Sequence, residues 1–386
     1  MLNGIMDTFI EVTKKVHGKR YQSHKFCYDT SSNSVVEYDA DQEVEWEEYG
    51  ESEHINKAKD LTFKVEQLRN NNIESWFKLF LDGSRHTYKI DDIAIGKNVY
   101  PILAGQVGIS CCRRDNRKMG TEFFDRRLVM AIPTSAIERE FHKEKEIPLM
   151  LEKLNRSKSL TSRGLKLDDI LLYNLDSDEK FEKKGIGKIQ DYMVAQEKEA
   201  VLKLVKEGKV NEEAYLIKDG SLEYKATNDI KMNLSDARMK NAYRCVIGVS
   251  KSFNPTLCYV KGGSTNSSIV AGLKQNERTP ASCYRSKMSG EGVSFCIWYL
   301  RLRDSKYTQN VFDGIIKVEK LIQEDEKQDG VDSELIDTIS ACLLMERNPV
   351  AYGQDRRWAN HLYPVYVTER YAKSKYIHND TFLNLF

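Results

Sequence analysis

Apolar residues in the first half of the chain fall into short runs of the kind that form β-strands. The runs are Trp76–Leu81, Tyr100–Cys112 and Arg127–Ile132, and a turn signal, Asp82-Gly83-Ser84, follows the first of them. Because the three runs follow one another closely, they predict an antiparallel meander at the start of a sheet.

The rest of the chain mixes helical periodicity with further strands. Apolar residues recur at helical spacing from Ile186 to Lys206 and stop at Gly208, which predicts a helix of about five turns. Other helical patterns are Asp7–Val16, Thr134–Leu154, Ser333–Met345 and Arg356–Lys375, the last interrupted near Pro364; strand patterns are Ala214–Lys218, Arg244–Ser250 and Val293–Leu302, and Asp313–Leu321 is ambiguous.

This alternation of strands and helices predicts a mixed α/β fold, a sheet flanked by helices. Residues 1–70 are expected to form an N-terminal extension. Residues 71–386 are expected to form one domain, with a helical insertion at about residues 134–185.

Composition restricts the classes of function. The chain has 59 Lys and Arg against 58 Asp and Glu, so binding to nucleic acid would need a local basic patch. The eight cysteines are scattered without a CxxC pair, which argues against zinc. No apolar run of about 18 residues occurs, so we expect no membrane insertion, a cytoplasmic location and free thiols. Neither GxxxxGK[ST] nor GxGxxG is present, and nucleotide hydrolysis is therefore not expected.

An acidic segment runs from Glu37 to Glu53 with nine carboxylates and no Lys or Arg. Such a block is usually solvated surface. Contact with a basic partner, or shielding of a basic groove, is the less favoured alternative.

The tripeptide Asp-Gly-Ser occurs twice, at residues 82–84 and 219–221, each time after an apolar strand. Either copy alone is most simply a turn that ends a strand. Two carboxylates at the ends of strands in one sheet could nevertheless converge, and hard divalent cations bind convergent carboxylate oxygens. The pair therefore predicts a metal site at Asp82 and Asp219.

The helix before Asp219 carries a further candidate carboxylate. Glu197 shares a helical face with Met193, Val201 and Leu204, whereas Glu199 is about 200° away around the helix and should be solvated. A carboxylate on an apolar face is costly unless it is paired or bound to metal. Glu197 is thus a candidate ligand, with a salt bridge at the edge of the apolar stripe as a nearly equal alternative.

The order of these parts resembles the RNase H-like nucleases: an aspartate on the first strand, a glutamate on a helix, an aspartate on a later strand, and polar residues on a C-terminal helix. More narrowly, the chain is similar to the NurA family, nucleases that work beside HerA-type translocase ATPases in DNA end processing and antiphage defence. The resemblance is carried by residues 80–84, residues 216–222, Val246–Ser250 leading to Lys251, and Leu362-Tyr363-Pro364. It spans roughly residue 76 to the end.

The resemblance implies roles for particular residues. Asp82 and Asp219 would bind Mn²⁺ or Mg²⁺, Glu197 would supply or support a third carboxylate, and Lys251 would face the scissile phosphate. Tyr363 would position a phosphate or the attacking water, although a core aromatic at a helix end is an equal alternative.

One position departs from the family's pattern. The family has a His eight residues after the Tyr of its Tyr-Pro, and Tyr371 stands there in this chain. Glu369 is expected to take that place, because a carboxylate can serve a metal or its water, and His361 is the second candidate.

Basic residues interleaved with aromatic residues suit a nucleic-acid strand, since phosphates contact cations and bases stack on rings. The C-terminal segment has this pattern, with Arg356, Arg357, Arg370 and Lys373 beside Trp358, Tyr371 and Tyr376. A second cluster, Arg113, Arg114, Arg117 and Lys118, is as consistent with ordinary charged surface.

Taken with the resemblance, these features predict a metal-dependent DNA nuclease that acts with a HerA-like hexameric ATPase and forms a homodimer. A catalytically silent nucleic-acid-binding or scaffold subunit is one alternative, because the C-terminal motif is altered. A PIWI-like guide-dependent module is another, although no second domain for guide ends is recognisable. Fold analogy alone does not choose among them.

Overall fold

The computed structural model describes residues 4–13, 19–20, 28–29, 45–53, 56–137, 143–174, 180–254, 259–260, 264–265, 267–308, 311–347 and 356–386. The helices are α1 (Ile5–Val12), α2 (Thr62–Asn70), α3 (Lys143–Asn155), α4 (Lys158–Thr161), α5 (Phe181–Lys206), α6 (Ala237–Ala242), α7 (Ser267–Gly272), α8 (Ser333–Met345), α9 (Tyr363–Ser374) and α10 (Asn379–Leu383).

The strands up to α5 are β1 (Lys19–Arg20), β2 (Tyr28–Asp29), β3 (Glu45–Gly50), β4 (Lys59–Asp60), β5 (Phe77–Ile95), β6 (Asn98–Asp115), β7 (Lys118–Pro133) and β8 (Asp169–Tyr173). Those after it are β9 (Tyr215–Asp219), β10 (Val246–Ser250), β11 (Tyr259–Val260), β12 (Ser264–Thr265), β13 (Glu277–Arg278), β14 (Ser282–Arg285), β15 (Ser294–Arg301) and β16 (Ile315–Leu321).

The centre of the large sheet is the series β7-β6-β5-β9-β10. β5, β6 and β7 are antiparallel, whereas β9 lies parallel to β5 and β10 parallel to β9. The antiparallel strands β16, β15, β14 and β3 extend the sheet beyond β10, and β8 pairs parallel with β7 at the other end. A mixed sheet of this order, flanked by helices, confirms the predicted α/β fold class with an RNase H-like core.

The predicted meander is confirmed, but its strands are longer than the apolar runs. β5, β6 and β7 have 19, 18 and 16 residues. The prediction that Asp82-Gly83-Ser84 ends the first strand is wrong, because each of these residues pairs with β6, beginning with Asp82 opposite Ser110. The strand remains ordered there because both of its faces are covered by other elements.

Helices cover the two faces of this central sheet. On one face α5 packs closely, so that a Cβ on Gly105 would lie 3.0 Å from Ile189 Cγ2. On the other face lies α9, where Ser110 Oγ donates to the carbonyl of Thr368 at 3.2 Å. Side chains alternate between faces along a strand, so neighbouring residues of β5 and β9 meet different helices.

Other predicted elements are recovered with changes. The long helix and the helix Ser333–Met345 are confirmed, and the ambiguous segment Asp313–Leu321 forms β16. In the insertion, α3 begins only at Lys143 and β8 was not predicted; residues 138–142 lie outside the described residues. The N-terminal helix is α1.

Parts of the first 70 residues belong to the large sheet. β1 and β2 pair with β5, β3 pairs with β14, and β4 pairs with β13. Residues 30–44, which include part of the acidic segment, lie outside the described residues.

The described part of the acidic segment is solvated surface only in part, because Glu45 and Glu53 are exposed whereas Glu51 is not. Glu51 is buried and accepts from both terminal nitrogens of Arg278, at 3.0 and 2.7 Å. Glu47 pairs with Arg285 and Glu45 with Lys287, each at 3.3 Å. These carboxylates are therefore neutralised within the chain.

No helix among the described residues is long and apolar enough to cross a membrane.

Candidate active site

Asp82 and Asp219 come together because β5 and β9 run side by side in the same direction. Leu81 is in register with Lys218, so the next residue on each strand is an aspartate. Both aspartates point to the α9 face: Asp82 is opposite Ser110, which contacts α9, and Asp219 shares a lysine with a glutamate of α9. The predicted convergence is present, although only Asp219 lies at the end of its strand.

Lys251 and Glu369 complete this cluster. Lys251 follows β10 directly, and its Nζ lies 2.8 Å from Asp219 Oδ2 and 3.1 Å from Glu369 Oε2. Asn360 holds the backbone of Lys251 by donating to its carbonyl at 2.8 Å. We call Asp82, Asp219, Lys251 and Glu369 the carboxylate cluster.

The electrostatics of the carboxylate cluster are those of an acidic site with one internal cation. Burial, and then the charge of Asp219, hold the pKa of Asp82 well above its ordinary value. Burial alone would raise the pKa of Glu369, but Lys251 and Lys373 lower it to about 2. Burial would lower the pKa of Lys251, yet Asp219 and Glu369 raise it. Lys251 is therefore held protonated between two carboxylates.

One oxygen of the cluster is unsatisfied. Asp82 is 4% exposed, and its Oδ2 has no hydrogen-bond partner among the described residues. A buried oxygen without a partner is costly unless a cation or a water meets it. Oxygen donors of this kind fit Mg²⁺ or Mn²⁺. No group of three His, Cys, Asp or Glu side chains in the described ranges is arranged to hold a metal ion. The Lys251 ammonium lies between Asp219 and Glu369.

Glu197 is held on the opposite face of the sheet from the two aspartates. The predicted orientation of the helix is confirmed, since Glu197 is 1% exposed and Glu199 is exposed. Its carboxylate lies 3.2 Å from Lys218 Nζ and accepts from the backbone of Gly83. Burial, more than any neighbouring charge, raises the pKa of Glu197.

The position of Glu197 explains the first Asp-Gly pair. A Cβ on residue 83 would lie 2.2 Å from Glu197 Oε1, so only glycine lets the carboxylate reach the strand. Its two contacts, Gly83 and Lys218, directly adjoin Asp82 and Asp219 in sequence. Glu197 therefore holds the backbone next to both aspartates from the α5 face of the sheet.

Glycine is needed for a different reason in the second Asp-Gly pair, Asp219-Gly220. Gly220 has φ +87, a left-handed conformation that ends β9 in a turn. Glu319 of β16 then holds the turn, accepting from Ser221 Oγ at 2.8 Å and from the Leu222 amide at 2.6 Å. Lys317 pairs with the same buried carboxylate. This arrangement fixes the position of Asp219.

Tyr363 is not part of the carboxylate cluster. It is the first residue of α9, is 47% exposed and lines a separate cleft with Arg69, Arg117 and Arg347. His361 is buried and stacks on Tyr366, with ring centroids 5.8 Å apart.

The basic residues predicted to contact DNA occupy different environments. Arg370 is exposed, while Lys373 donates to Glu369 Oε1 at 2.6 Å and so adjoins the cluster. Arg356 and Arg357 begin a 3₁₀ helix, Arg356–Asn360, and their side chains lie outside the described residues.

Several contacts that shape the site, and three of the residues that make them, Lys218, Glu319 and Asn360, were not predicted from the sequence. The spacing of Glu369 and Lys373, four residues apart on a helix, could have revealed their pairing. The alternation of faces along β9 could have placed Lys218 opposite Asp219. Glu319 and Asn360 gave no such signal, because they reach the site through tertiary contacts.

Comparisons with known proteins add little to this geometry. No family model matches the chain, and no curated protein matches it. Among solved structures, the NurA nuclease from Sulfolobus solfataricus is similar, with 11% sequence identity, a TM-score of 0.35, and coverage of 80% of this chain and 87% of that chain. A TM-score of this size carries no argument, so the proposal below rests on the site itself.

Proposed function

We propose that the protein is a metal-dependent nuclease that hydrolyses phosphodiester bonds in DNA. The observation that carries the proposal is the convergence of Asp82 and Asp219 from adjacent parallel strands, where one buried oxygen of Asp82 has no hydrogen-bond partner within the described part of the chain. Carboxylates so placed suit a divalent cation that must sit against a phosphate.

Under this proposal Asp82 and Asp219 hold Mn²⁺ or Mg²⁺, and Glu369 is the third carboxylate on the same face. A bound divalent cation would polarise the phosphate and lower the pKa of a water at the site. Lys251 would then turn from the carboxylates to the phosphate, where its positive charge stabilises the charge that develops on the oxygens. Glu197 would keep Asp82 and Asp219 in place.

Lys251 also supports a second candidate, a nucleic-acid-binding or scaffold subunit without catalysis. Its ammonium satisfies Asp219 and Glu369 at 2.8 and 3.1 Å, as a structural cation would. Cleavage of linear and circular DNA in Mn²⁺ separates the two candidates. Cleavage by the wild type that is lost in Asp219→Asn supports the nuclease, and binding without cleavage supports the silent subunit.

The proposal extends to partners on the resemblance of the motifs alone. We propose that the protein acts with a HerA-like hexameric ATPase in DNA end processing or antiphage defence, in the cytoplasm and as a homodimer. Since Glu45, Glu47 and Glu51 are paired within the chain, only the acidic residues from Glu37 to Glu43 are retained as a candidate contact. Replacing these with Gln or Asn should weaken co-purification with such an ATPase at low salt; unchanged retention would exclude the segment.

A further inference from the structure

A cleft on the surface brings together arginines from separate elements. Arg69 comes from the last turn of α2, Arg114 from β6, Arg117 from the β6–β7 turn, and Arg347 from the segment after α8. The cleft has a volume of about 790 Å³. This volume lies within the range of small-ligand sites.

The cleft carries excess positive charge. Its lining has the four arginines but only two glutamates, Glu74 and Glu346. Glu346 is taken by Arg114, whose Nη1 lies 2.7 Å from Glu346 Oε2, and Glu74 pairs with Lys78. Arg69, Arg117 and Arg347 have no carboxylate within salt-bridge distance among the described residues.

Two of these arginines repel each other. Burial, and then the charge of Arg69, lower the pKa of Arg347, whose Nη1 donates to the carbonyl of Leu302 at 3.1 Å. Like charges that face a common space are stabilised when an anion enters it. The cleft is thus prepared for a negatively charged ligand.

The lining also offers an aromatic ring and an apolar side chain. Tyr363 is 47% exposed and Ile73 is 46% exposed, although large apolar side chains of this kind are usually buried. A half-exposed ring among arginines matches the platforms on which single-stranded nucleic acid stacks its bases. Tyr363 and Glu369 lie on the same helix, about 9 Å apart along its axis at 1.5 Å per residue.

We propose that this cleft binds single-stranded DNA, with Arg69, Arg117 and Arg347 contacting phosphates and Tyr363 stacking on a base. The proposal rests on the nuclease function and names the form of its substrate. It gives Tyr363 a binding role in place of the catalytic role expected from the sequence.

The test measures the binding of a fluorescent oligothymidylate by fluorescence anisotropy. EDTA is present so that no cleavage occurs. Arg69→Ala with Arg347→Ala should weaken binding roughly 10- to 100-fold at 50 mM salt and reduce the salt slope by about 1.4. Arg156→Ala with Lys158→Ala is the matched control and should bind as the wild type does, because Arg156, between α3 and α4, and Lys158, the first residue of α4, are exposed and do not line the cleft.

Tyr363 provides an independent arm. Tyr363→Ala should weaken binding by roughly 5- to 150-fold, the range of base stacking, whereas Tyr363→Phe should bind as the wild type does because the ring is kept. Unchanged binding and an unchanged salt slope in the Arg69→Ala, Arg347→Ala double variant would overturn the proposal. So would tighter binding of duplex than of single-stranded DNA, or a loss of binding in Tyr363→Phe equal to that in Tyr363→Ala.

The outcomes are distinguishable from failure of the nuclease function. Normal cleavage in Mn²⁺ with unchanged binding in the arginine pair overturns the cleft and leaves the nuclease standing. Cleft-dependent binding by a wild type that does not cleave overturns the nuclease and supports the cleft.

Discussion

Replacement of Gly83 by alanine tests whether Glu197 supports the aspartates from behind the sheet. The new Cβ would lie 2.2 Å from Oε1, 2.8 Å from Cδ and 2.9 Å from Cγ of Glu197. Three side-chain atoms would be displaced at a site that is 1% exposed, so the carboxylate cannot simply turn into solvent.

The cost can be worked out from these contacts. Overpacking a filled site costs about 1–3 kcal/mol. If Glu197 moves away, Lys218 loses its partner at 3.2 Å while it stays buried. Removing one partner of a buried pair costs about 3–5 kcal/mol, so the variant should lose about 3 kcal/mol or more.

The assay is urea denaturation without metal, with the midpoint and its slope compared between variants. Gly120→Ala is the control, because that glycine also lies in a strand of the meander but has nothing within 4 Å of its Cβ position. It should change the free energy of unfolding by less than about 0.5 kcal/mol. In a Glu197→Ala background, Gly83→Ala should cost much less than in the wild type. An equal cost in both backgrounds would refute the contact.

Three further predictions test other parts of the structure. Glu51→Ala should cost about 2 kcal/mol or more in denaturation, because it removes one of the two carboxylates that pair with the buried Arg278, Asp337 being the other, and leaves the Ala281 amide without its acceptor. Glu45→Ala, at an exposed position paired at 3.3 Å with Lys287, should cost less than about 1 kcal/mol, and equal effects of the two variants would contradict the buried network. Gly187→Ala within α5 should raise the free energy of unfolding by about 0.5–1 kcal/mol, because its Cβ position is open, whereas Gly185→Ala should lower it, because the new Cβ would lie 2.4 Å from Leu103 Cδ1. Thermal unfolding measures both variants, and the reverse ranking would mean that the helix packs differently. Asp82→Asn should stabilise the metal-free protein at neutral pH, because a carboxyl whose pKa is raised by burial and by Asp219 costs stability when it is ionised. This gain should disappear as the pH falls and Asp82 takes up a proton, and a loss of stability at neutral pH would contradict the raised pKa of Asp82.

The fold class could be predicted because β5–β7 and α5 carry their patterns within single segments. The convergence of Asp82 and Asp219 also followed from local patterns, since each residue adjoins an apolar strand. The length of β5 did not follow, because Asp-Gly is a turn signal whenever the residues are considered alone. Only the packing of Glu197 against Gly83 shows why glycine stands inside a strand.

The rest of the site depends on contacts between distant segments. Glu319 reaches the turn after Asp219 from about a hundred residues further along the chain, and no spacing in the sequence indicates this. Likewise Tyr363 is only six residues before Glu369 on the same helix but lines the arginine cleft, because a helix presents its positions in different directions. The family resemblance placed both in one active site.

The central claim, that Asp82 and Asp219 form a metal-dependent nuclease centre, is tested most directly by Mn²⁺ titration of DNA cleavage. The wild type should cleave a linear duplex with single-stranded ends in Mn²⁺ and stop when EDTA is added, whereas Asp82→Asn and Asp219→Asn should remain folded and lose cleavage by a factor of at least about 100. Glu199→Gln, an exposed carboxylate on α5, should cleave as the wild type does. Cleavage by both aspartate variants at the wild-type rate, or none by the folded wild type at any Mn²⁺ concentration, would contradict the claim.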